Sequence, residues 1–222
     1  MNAPAHHLLM DRIYRHQRHF YDLTRRPYLF GRDTLIGQLK ARPGERILEI
    51  GCGTARNLIK IANTYPGTLL WGIDASAEML RTAKRAVERA NLSTRIVLLH
   101  GLAEDATALL SKPNPSFDRV IFSYSLSMIA DWKAAVTAAQ AILSDQGRLH
   151  VVDFGDLSGL SRATATLLRI WLQLFHVQPR TELLHRAEAA IHHQQDCRLK
   201  LLFGRYAFVF EASSPALGKL IE

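Results

Sequence analysis

The 222 residues of this chain suffice for one α/β domain with a sizeable core and are too few for two ordinary domains. An apolar share of 48% beside 22% charged residues is typical of a globular protein, and polar residues interrupt each apolar stretch before it could span a bilayer. Cys52 and Cys197 lie far apart and outside CxxC pairs, so neither a disulfide framework nor a metal site is expected. With no secretion signal at its start, the chain is predicted to be cytoplasmic.

The net charge of +8 is concentrated in two flanks. Residues 1–42 hold eight Lys/Arg against three Asp/Glu and residues 157–205 hold seven against three, whereas residues 43–156 hold twelve of each. A basic surface suits nucleic acid, anionic lipid or an acidic small molecule, and charge alone does not separate these partners.

The first flank, residues 1–42, is predicted to form an N-terminal helical lid. On a helical wheel of residues 8–40, apolar and basic side chains separate to opposite sides. The apolar side carries Met10, Ile13, Tyr14, Gln17, Phe20 and Tyr21, and the opposite side carries Arg12, Arg15, Arg18 and His19.

Residues 43–156 alternate short β-branched runs with stretches of helical period, which indicates successive βα units on a parallel sheet. Strands buried on both faces are predicted at 46–50, 69–74, 96–99, 119–122 and 149–153, with helices around 55–64, 77–90, 103–110 and 133–143. Gln146-Gly147 is expected to end the last helix in a turn.

The remaining chain is predicted to be a helical insert at 157–197 and a C-terminal hairpin at 198–222, with strands at 198–203 and 206–211. Added to the five parallel strands, this hairpin gives a Rossmann-like, mostly parallel seven-stranded sheet with an antiparallel end, all within a single domain.

The loop after the first predicted strand contains the residues that indicate a ligand-binding site. Gly51 and Gly53 allow a sharp turn and a close approach of backbone to ligand, while the following helix directs its first N–H groups into the same space. Asp74 ends the second strand about twenty residues on, where a carboxylate accepts hydrogen bonds from a ribose diol. Taken alone, either the glycine pair or the aspartate would also be compatible with a turn that binds no ligand.

Residues 47–54, ILEIGCGT, resemble the first motif of class I methyltransferases, and residues 72–76, GIDAS, with Met79 resemble the second. A dehydrogenase fingerprint would need a G-x-G-x-x-G/A run, whereas Ala55 takes the third small position here. The resemblance implies S-adenosylmethionine as cofactor and S-adenosylhomocysteine as product. The cofactor-binding residues it implies, with Arg25 added as a carboxylate ligand from the lid, are Glu49, Gly51, Cys52, Gly53, Asp74, Ala75, Met79, Leu102, Ala103, Ser123 and Arg25.

Residues 123–128, SYSLSM, follow the fourth strand at the carboxyl edge of the sheet and are predicted to form the floor of the methyl-transfer site. The Asn/Asp-Pro-Pro-aromatic run of nucleobase amine methyltransferases is absent here, as is the proline-linked cysteine of C5-pyrimidine enzymes. Cys52 is therefore interpreted as a small loop residue and not as a nucleophile.

Residues 21–33, 123–129 and 175–180 are similar to bacterial betaine-lipid methyltransferases. That resemblance implies three methyl transfers to the amine of diacylglyceryl-homoserine, giving the trimethylated betaine lipid. Aromatic faces attract a growing methylammonium. The predicted catalytic residues are Tyr21 and Tyr124, and the predicted substrate-binding residues are Tyr14, Tyr28, Met128 and Arg180. Tyr14 as a simple packing residue and Arg180 as a surface arginine remain open alternatives.

Residues 167–175 place apolar side chains around most of a helix, which favours a lipid-facing patch and a transient contact with an anionic membrane. A dimer contact or plain core explains the same pattern. Competing functions are methylation of phosphatidylethanolamine or a quinone precursor, and a nucleic-acid-binding module that merely keeps the fold. The last is disfavoured because no strand platform carries interleaved aromatic residues, so no nucleic-acid partner is expected.

Overall fold

The computed structural model of the protein describes residues 29–110, 116–174, 177–192 and 196–221. Seven strands form one sheet: β1 Arg46–Ile50, β2 Leu69–Asp74, β3 Ile96–His100, β4 Phe117–Ser123, β5 Leu143–Phe154, β6 Cys197–Leu202 and β7 Ala207–Ser213. The helices of the described ranges are α1 Arg32–Gln38, α2 Arg56–Thr64, α3 Ala77–Arg89, α4 Ala106–Leu109, α5 Trp132–Ile142, α6 Arg162–Leu174, α7 Thr181–His192 and α8 Ser214–Ile221. Within these ranges no helix is both long and apolar enough to cross a bilayer.

The sheet has the order β3-β2-β1-β4-β5-β7-β6, in which β1 to β5 pair in parallel and β7 pairs antiparallel with both β5 and β6. The predicted fold class is therefore confirmed. Chain order reverses beside β1, whose neighbours are β2 and β4. In open α/β sheets this reversal opens a crevice at the carboxyl ends of the strands, and that is where ligands bind.

Two apolar layers cover the sheet. One face packs against α4, α5, α7 and α8, around buried residues such as Phe122 and Phe210. The other face packs against α1, α2, α3 and α6, around residues such as Ile47 and Val152. Burial on both faces is why the central strands are nearly continuous apolar runs.

Local signals set several helix starts. The Ser76 side chain accepts a hydrogen bond from the Met79 N–H at the start of α3, and Asp131 accepts one from the Ala134 N–H at the start of α5. Each cap satisfies one of the N–H groups that the first helical turn leaves without an internal partner.

Two expectations from the sequence need correction, and a third becomes more specific. β3 is not buried on both faces, because it is the edge strand of the sheet and Val97 is 44% exposed. Gln146 and Gly147 do not end the last predicted helix in a turn. They lie within β5, where the pairing with β4 shifts register. The helical insert is two helices, α6 and α7, and Pro179 lies in the segment between them, where its missing N–H costs no helical hydrogen bond.

The two ends of the chain also differ from expectation. Residues 8–28 of the helix predicted at 8–40 lie outside the described residues, and residues 29–40 contain only the short helix α1. The sequence analysis did not predict α8 after the hairpin. Its residues Ala216 and Leu217 are buried in the apolar layer that also contains α5 and α7.

Candidate functional site

The loop after β1 folds tightly over the ends of two neighbouring strands. The backbone N–H groups of Gly51 and Cys52 both donate to the Ile73 carbonyl of β2, at 2.8 and 3.0 Å. Gly51 has φ of +76°, and a Cβ there would lie 2.4 Å from the Ser125 Cβ. Gly53 has φ of +54° but open space in front of it. A close contact thus requires glycine at 51, and the positive φ favours glycine at 53. The open space in front of Gly53 leaves room for a ligand.

Asp74 closes this loop from the end of β2. One carboxylate oxygen accepts from the Gly53 N–H at 2.7 Å and the other from the Ser76 N–H at 2.9 Å. Burial raises the pKa of Asp74, and the two N–H donors partly offset that rise by stabilising the charged form. The carboxylate is therefore held in a fixed orientation on the wall of the crevice.

Glu49, the last polar residue of β1, is 1% exposed. Its Oε1 accepts from the Asn57 side chain at 2.7 Å, whereas no described residue donates to its Oε2. Burial raises the pKa of Glu49 to about 7, while Asn57 and the Arg32 charge act in the opposite direction. An unpartnered, buried carboxylate oxygen is costly, and a cationic ligand group would satisfy it.

A cavity of about 390 Å³ lies at the carboxyl ends of β1, β2 and β4. Its volume is that of a pocket for one small molecule. Of the residues predicted for cofactor, catalytic or substrate contacts, its wall contains Glu49, Gly51, Cys52, Gly53, Asp74, Ala75, Met79, Leu102, Ala103, Ser123, Tyr124 and Met128. The predicted residues Tyr14, Tyr21, Arg25 and Tyr28 lie outside the described residues.

The sequence analysis missed several wall residues, of which Arg32 and Asn57 matter most. Arg32 is the first residue of α1, and its guanidinium carbon lies 5.9 Å from the centre of the Tyr124 ring. Gly31 precedes it with φ of +87°, in a space where a Cβ would lie 2.7 Å from Leu202. The sequence signal that could have indicated Arg32 was the glycine directly before it. The structural role of that glycine depends on the hairpin, which is distant in sequence.

Tyr124 adopts φ of +56°, an uncommon conformation for a residue with a side chain. Its hydroxyl donates to the Phe30 carbonyl, and its ring packs edge-on against Phe154 at 4.7 Å. Burial raises the pKa of Tyr124 well above its usual range. Because the phenol stays protonated at neutral pH and already donates its proton to a carbonyl, the geometry disfavours Tyr124 as a general base and favours a role in shaping the wall.

The serines around Tyr124 have different partners. Ser125 Oγ donates to the Ile50 carbonyl at 2.8 Å, which ties this loop to β1. Ser123 Oγ is buried on the cavity wall and has no hydrogen-bond partner among the described residues. Like Glu49 Oε2, it is a polar atom that a bound ligand would satisfy.

Arg180, predicted to bind a substrate carboxylate, lies behind the cavity wall. Its Nε donates to the Leu126 carbonyl at 2.9 Å, and its Nη2 donates to the Ile129 carbonyl. Arg180 itself is not among the lining residues, although Ile129 is. The contacts it makes are to the loop that forms the floor of the cavity.

The structure agrees with the interpretation of Cys52 as a packing residue. Its sulfur lies where a Cβ on Gly72 would come within 2.7 Å, so the thiol fills the space that this glycine leaves. Burial raises the pKa of the Cys52 thiol well above its usual range, which keeps it in the unreactive protonated form. In the described part of the chain, no group of three or more His, Cys, Asp or Glu residues is placed to hold a metal ion.

Comparison with known proteins identifies the same core. Residues 47–147 match the family described as a methyltransferase domain. Over 122 residues the chain is 32% identical to 27-O-demethylrifamycin SV methyltransferase of Amycolatopsis mediterranei, covering 55% of this chain and 43% of that protein. It is 30% identical over 139 residues to demethylmenaquinone methyltransferase of Thermus thermophilus, covering 60% of each. The chain thus spans about half the length of these curated relatives.

A solved structure has the same fold over most of this chain. The S-adenosylmethionine-dependent methyltransferase of Aquifex aeolicus matches with a TM-score of 0.58 at 14% identity, covering 85% of this chain and 92% of that one. At this identity the match shows the fold. The part of the chain that the family match covers, residues 47–147, includes β2 to β4, all of β1 but its first residue, and every cavity-wall residue described above except Arg32.

Proposed function

We propose that this chain, which carries a class I S-adenosylmethionine-dependent methyltransferase domain, methylates the amine of a lipid head group. The substrate we propose is diacylglyceryl-homoserine, converted by successive transfers to the trimethylated betaine lipid. The main observation in favour of a lipid substrate concerns α6, the helix that follows β5. This helix exposes an apolar stripe to solvent. The resemblance of residues 21–33 and 123–129 to betaine-lipid methyltransferases supports homoserine as the head group of that lipid.

The residues of the cavity fit S-adenosylmethionine. Glu49 Oε2 needs a donor, which the ammonium of the methionine part provides, and the fixed Asp74 carboxylate suits a ribose diol. Ser123 Oγ offers a further polar contact, and the open space beside Gly53 allows close approach. When bound, the cofactor supplies an electrophilic methyl group on its sulfonium sulfur.

The chain contributes alignment, charge and shielding from water. Arg32 places a positive charge beside Tyr124, where it suits a carboxylate of the cofactor or of the homoserine head group. Tyr124, Met128 and Ile129 form a wall of aromatic and apolar character. Such a wall attracts a methylated ammonium by about 0.5–2 kcal/mol per aromatic face and does not require it to donate hydrogen bonds.

The surface of α6 suits a membrane interface. Leu167, Ile170 and Leu174 are 69%, 53% and 68% exposed, and they lie opposite Leu172, which is buried against the sheet. The helix contains two arginines and no acidic residue. A helix with exposed apolar residues and positive charge binds at the surface of anionic bilayers, with about 1 kcal/mol from each basic residue near the surface.

This membrane contact has its own test. We expect the triple variant Leu167→Ser, Ile170→Ser, Leu174→Ser to lose sedimentation with vesicles containing anionic phospholipid while keeping cofactor affinity. Val97→Ser, at an exposed apolar residue (44%) on the edge strand β3 and away from α6, is the control and should sediment like the wild type. Equal sedimentation of the triple variant would refute a lipid-facing role for α6.

A second candidate substrate is a prenylated quinone precursor, because one relative is a demethylmenaquinone methyltransferase. Labelled S-adenosylmethionine is supplied with vesicles that contain diacylglyceryl-homoserine, phosphatidylethanolamine, demethylmenaquinone or none of these. Label in the homoserine lipid supports the proposal. Label only in another lipid assigns the enzyme to that substrate instead.

A further inference from the structure

We propose that Arg180 is a positioning residue that fixes the floor of the methyl-transfer cavity by binding the outer side of the loop after β4. This floor loop, residues 124–130, separates Arg180 from the cavity. The inference rests on the proposed methyl transfer and not on the identity of the acceptor.

Three carbonyls of the floor loop point to the segment between α6 and α7. Arg180 Nε donates to the Leu126 carbonyl at 2.9 Å, Arg180 Nη2 donates to the Ile129 carbonyl, and the Gln178 N–H donates to the Ser127 carbonyl at 3.0 Å. One guanidinium therefore bridges two carbonyls three residues apart. A planar, rigid donor group fixes both of them at once, which a lysine with a single ammonium does less well.

A buried carboxylate holds the same loop from β5. Asp153 Oδ2 accepts from the Ser127 N–H at 3.0 Å, and Oδ1 accepts from the Phe154 N–H at 2.8 Å. Burial raises the pKa of Asp153 to about 6, and the positive charge of Arg180 works against that rise. The loop is thus held by an anion at one of its N–H groups and by a cation at two of its carbonyls.

The floor loop needs such support because its backbone is strained. Tyr124 has φ of +56°, a conformation that persists only where the surroundings fix it. The next residues then turn so that Met128 and Ile129 reach the cavity wall, with both of their N–H groups donating to the Ser125 carbonyl. The carbonyl of Ile129 is one of the two that Arg180 binds.

The segment between α6 and α7, which contains Arg180, also contacts α6, the helix that we propose faces lipid. The Val177 N–H donates to the Leu172 carbonyl of α6 at 3.1 Å, and both side chains are buried. Arg180 therefore connects a helix that presents apolar residues to solvent with the floor of the cavity.

The test compares Arg180→Ala and Arg180→Lys with the control Arg186→Ala, in which the arginine lost is on α7 and binds the exposed Glu182. We expect the amides of Met128 and Ile129 to exchange with deuterium at least tenfold faster in Arg180→Ala. Turnover should fall about 10²-fold, the cost of a misplacement of about 1 Å. The KM for the lipid should change less than threefold. Arg186→Ala should match the wild type in all three.

Added ethylguanidinium should restore turnover in Arg180→Ala, and Arg180→Lys should fall between the wild type and Arg180→Ala. A raised KM with unchanged turnover and unchanged amide exchange would overturn the proposal in favour of a substrate ligand. Loss of turnover that ethylguanidinium does not restore, without faster exchange of the two amides, would also overturn it. Because amide exchange needs no acceptor, it tests Arg180 even if diacylglyceryl-homoserine is not the substrate. If Arg180→Ala does not fold, exchange in Arg180→Lys decides the question.

Discussion

Replacing Glu49 with glutamine separates the charge of the buried side chain from its shape. The variant keeps an oxygen for Asn57 but loses the carboxyl whose pKa burial raises from 4.5 to about 7. A carboxyl with a higher pKa in the folded state binds more protons there, so its contribution to stability is complete below pH 4.5 and is lost as the pH rises to about 7. At about 1.4 kcal/mol per tenfold change in acidity, the full effect is roughly 3 kcal/mol.

The measurement is the free energy of unfolding by denaturant at pH 5 and pH 8, without cofactor. Between these values the wild type should lose roughly 2–3 kcal/mol more than Glu49→Gln. Other buried acids, such as Asp153 and Asp74, are present in both proteins and cancel. Glu88→Gln, on the exposed side of α3, is the control and should keep the wild-type dependence. Equal pH dependence in Glu49→Gln and the wild type would refute the argument.

The same variant links stability to binding. With its oxygen bound to Asn57, the glutamine side chain would present an NH2 group, which cannot accept from the cofactor ammonium. Hydrogen bonds to charged groups contribute about 1.5–3 kcal/mol. We therefore expect Glu49→Gln to bind S-adenosylmethionine at least roughly tenfold more weakly in calorimetry at pH 8. An affinity equal to that of the wild type would show that the unpartnered oxygen of Glu49 does not face the ammonium.

Three further changes test the cavity. Gly51→Ala places a Cβ 2.4 Å from the Ser125 Cβ, at a residue with positive φ. We expect this variant to lose about 1–3 kcal/mol of unfolding free energy. The control is Gly37→Ala, whose added Cβ meets nothing within 4 Å and which should lose none. Asp74→Ala should weaken S-adenosylmethionine binding tenfold or more by calorimetry, and unchanged affinity would contradict the ribose assignment. Tyr124→Phe should keep turnover within about tenfold with an unchanged pH profile, because a loss of 10²–10⁴-fold is what removal of a general base produces.

The cofactor loop was predictable from sequence because its determinants are local. The glycines at 51 and 53 sit between a run of apolar residues and a helix, and Asp74 ends the next strand at a regular spacing. Parallel pairing of β1 with β2 then brings these residues together without any further information. Their place on the wall of one cavity follows from this pairing.

The contacts of Arg180 and Arg32 were not predictable in this way. Arg180 binds carbonyls more than fifty residues away, and any exposed loop would have offered similar partners. Arg32 lies on the cavity wall directly after Gly31, which packs closely against Leu202 of the distant hairpin. The exposure of β3 likewise depends on its place at the edge of the sheet, since its sequence is as apolar as that of a central strand. Tertiary context, and not local pattern, decides these cases.

Cys52 in the loop after β1 and Leu58 in α2 share the space left by Gly72 of β2. A Cβ at 72 would lie 2.7 Å from both the Cys52 sulfur and the Leu58 side chain. In related proteins, a larger residue at position 72 is therefore compatible only with smaller residues at both positions 52 and 58. The residue between the two loop glycines is thus set by a strand behind it as well as by the cofactor in front, and substitutions at these three positions should occur in concert during evolution.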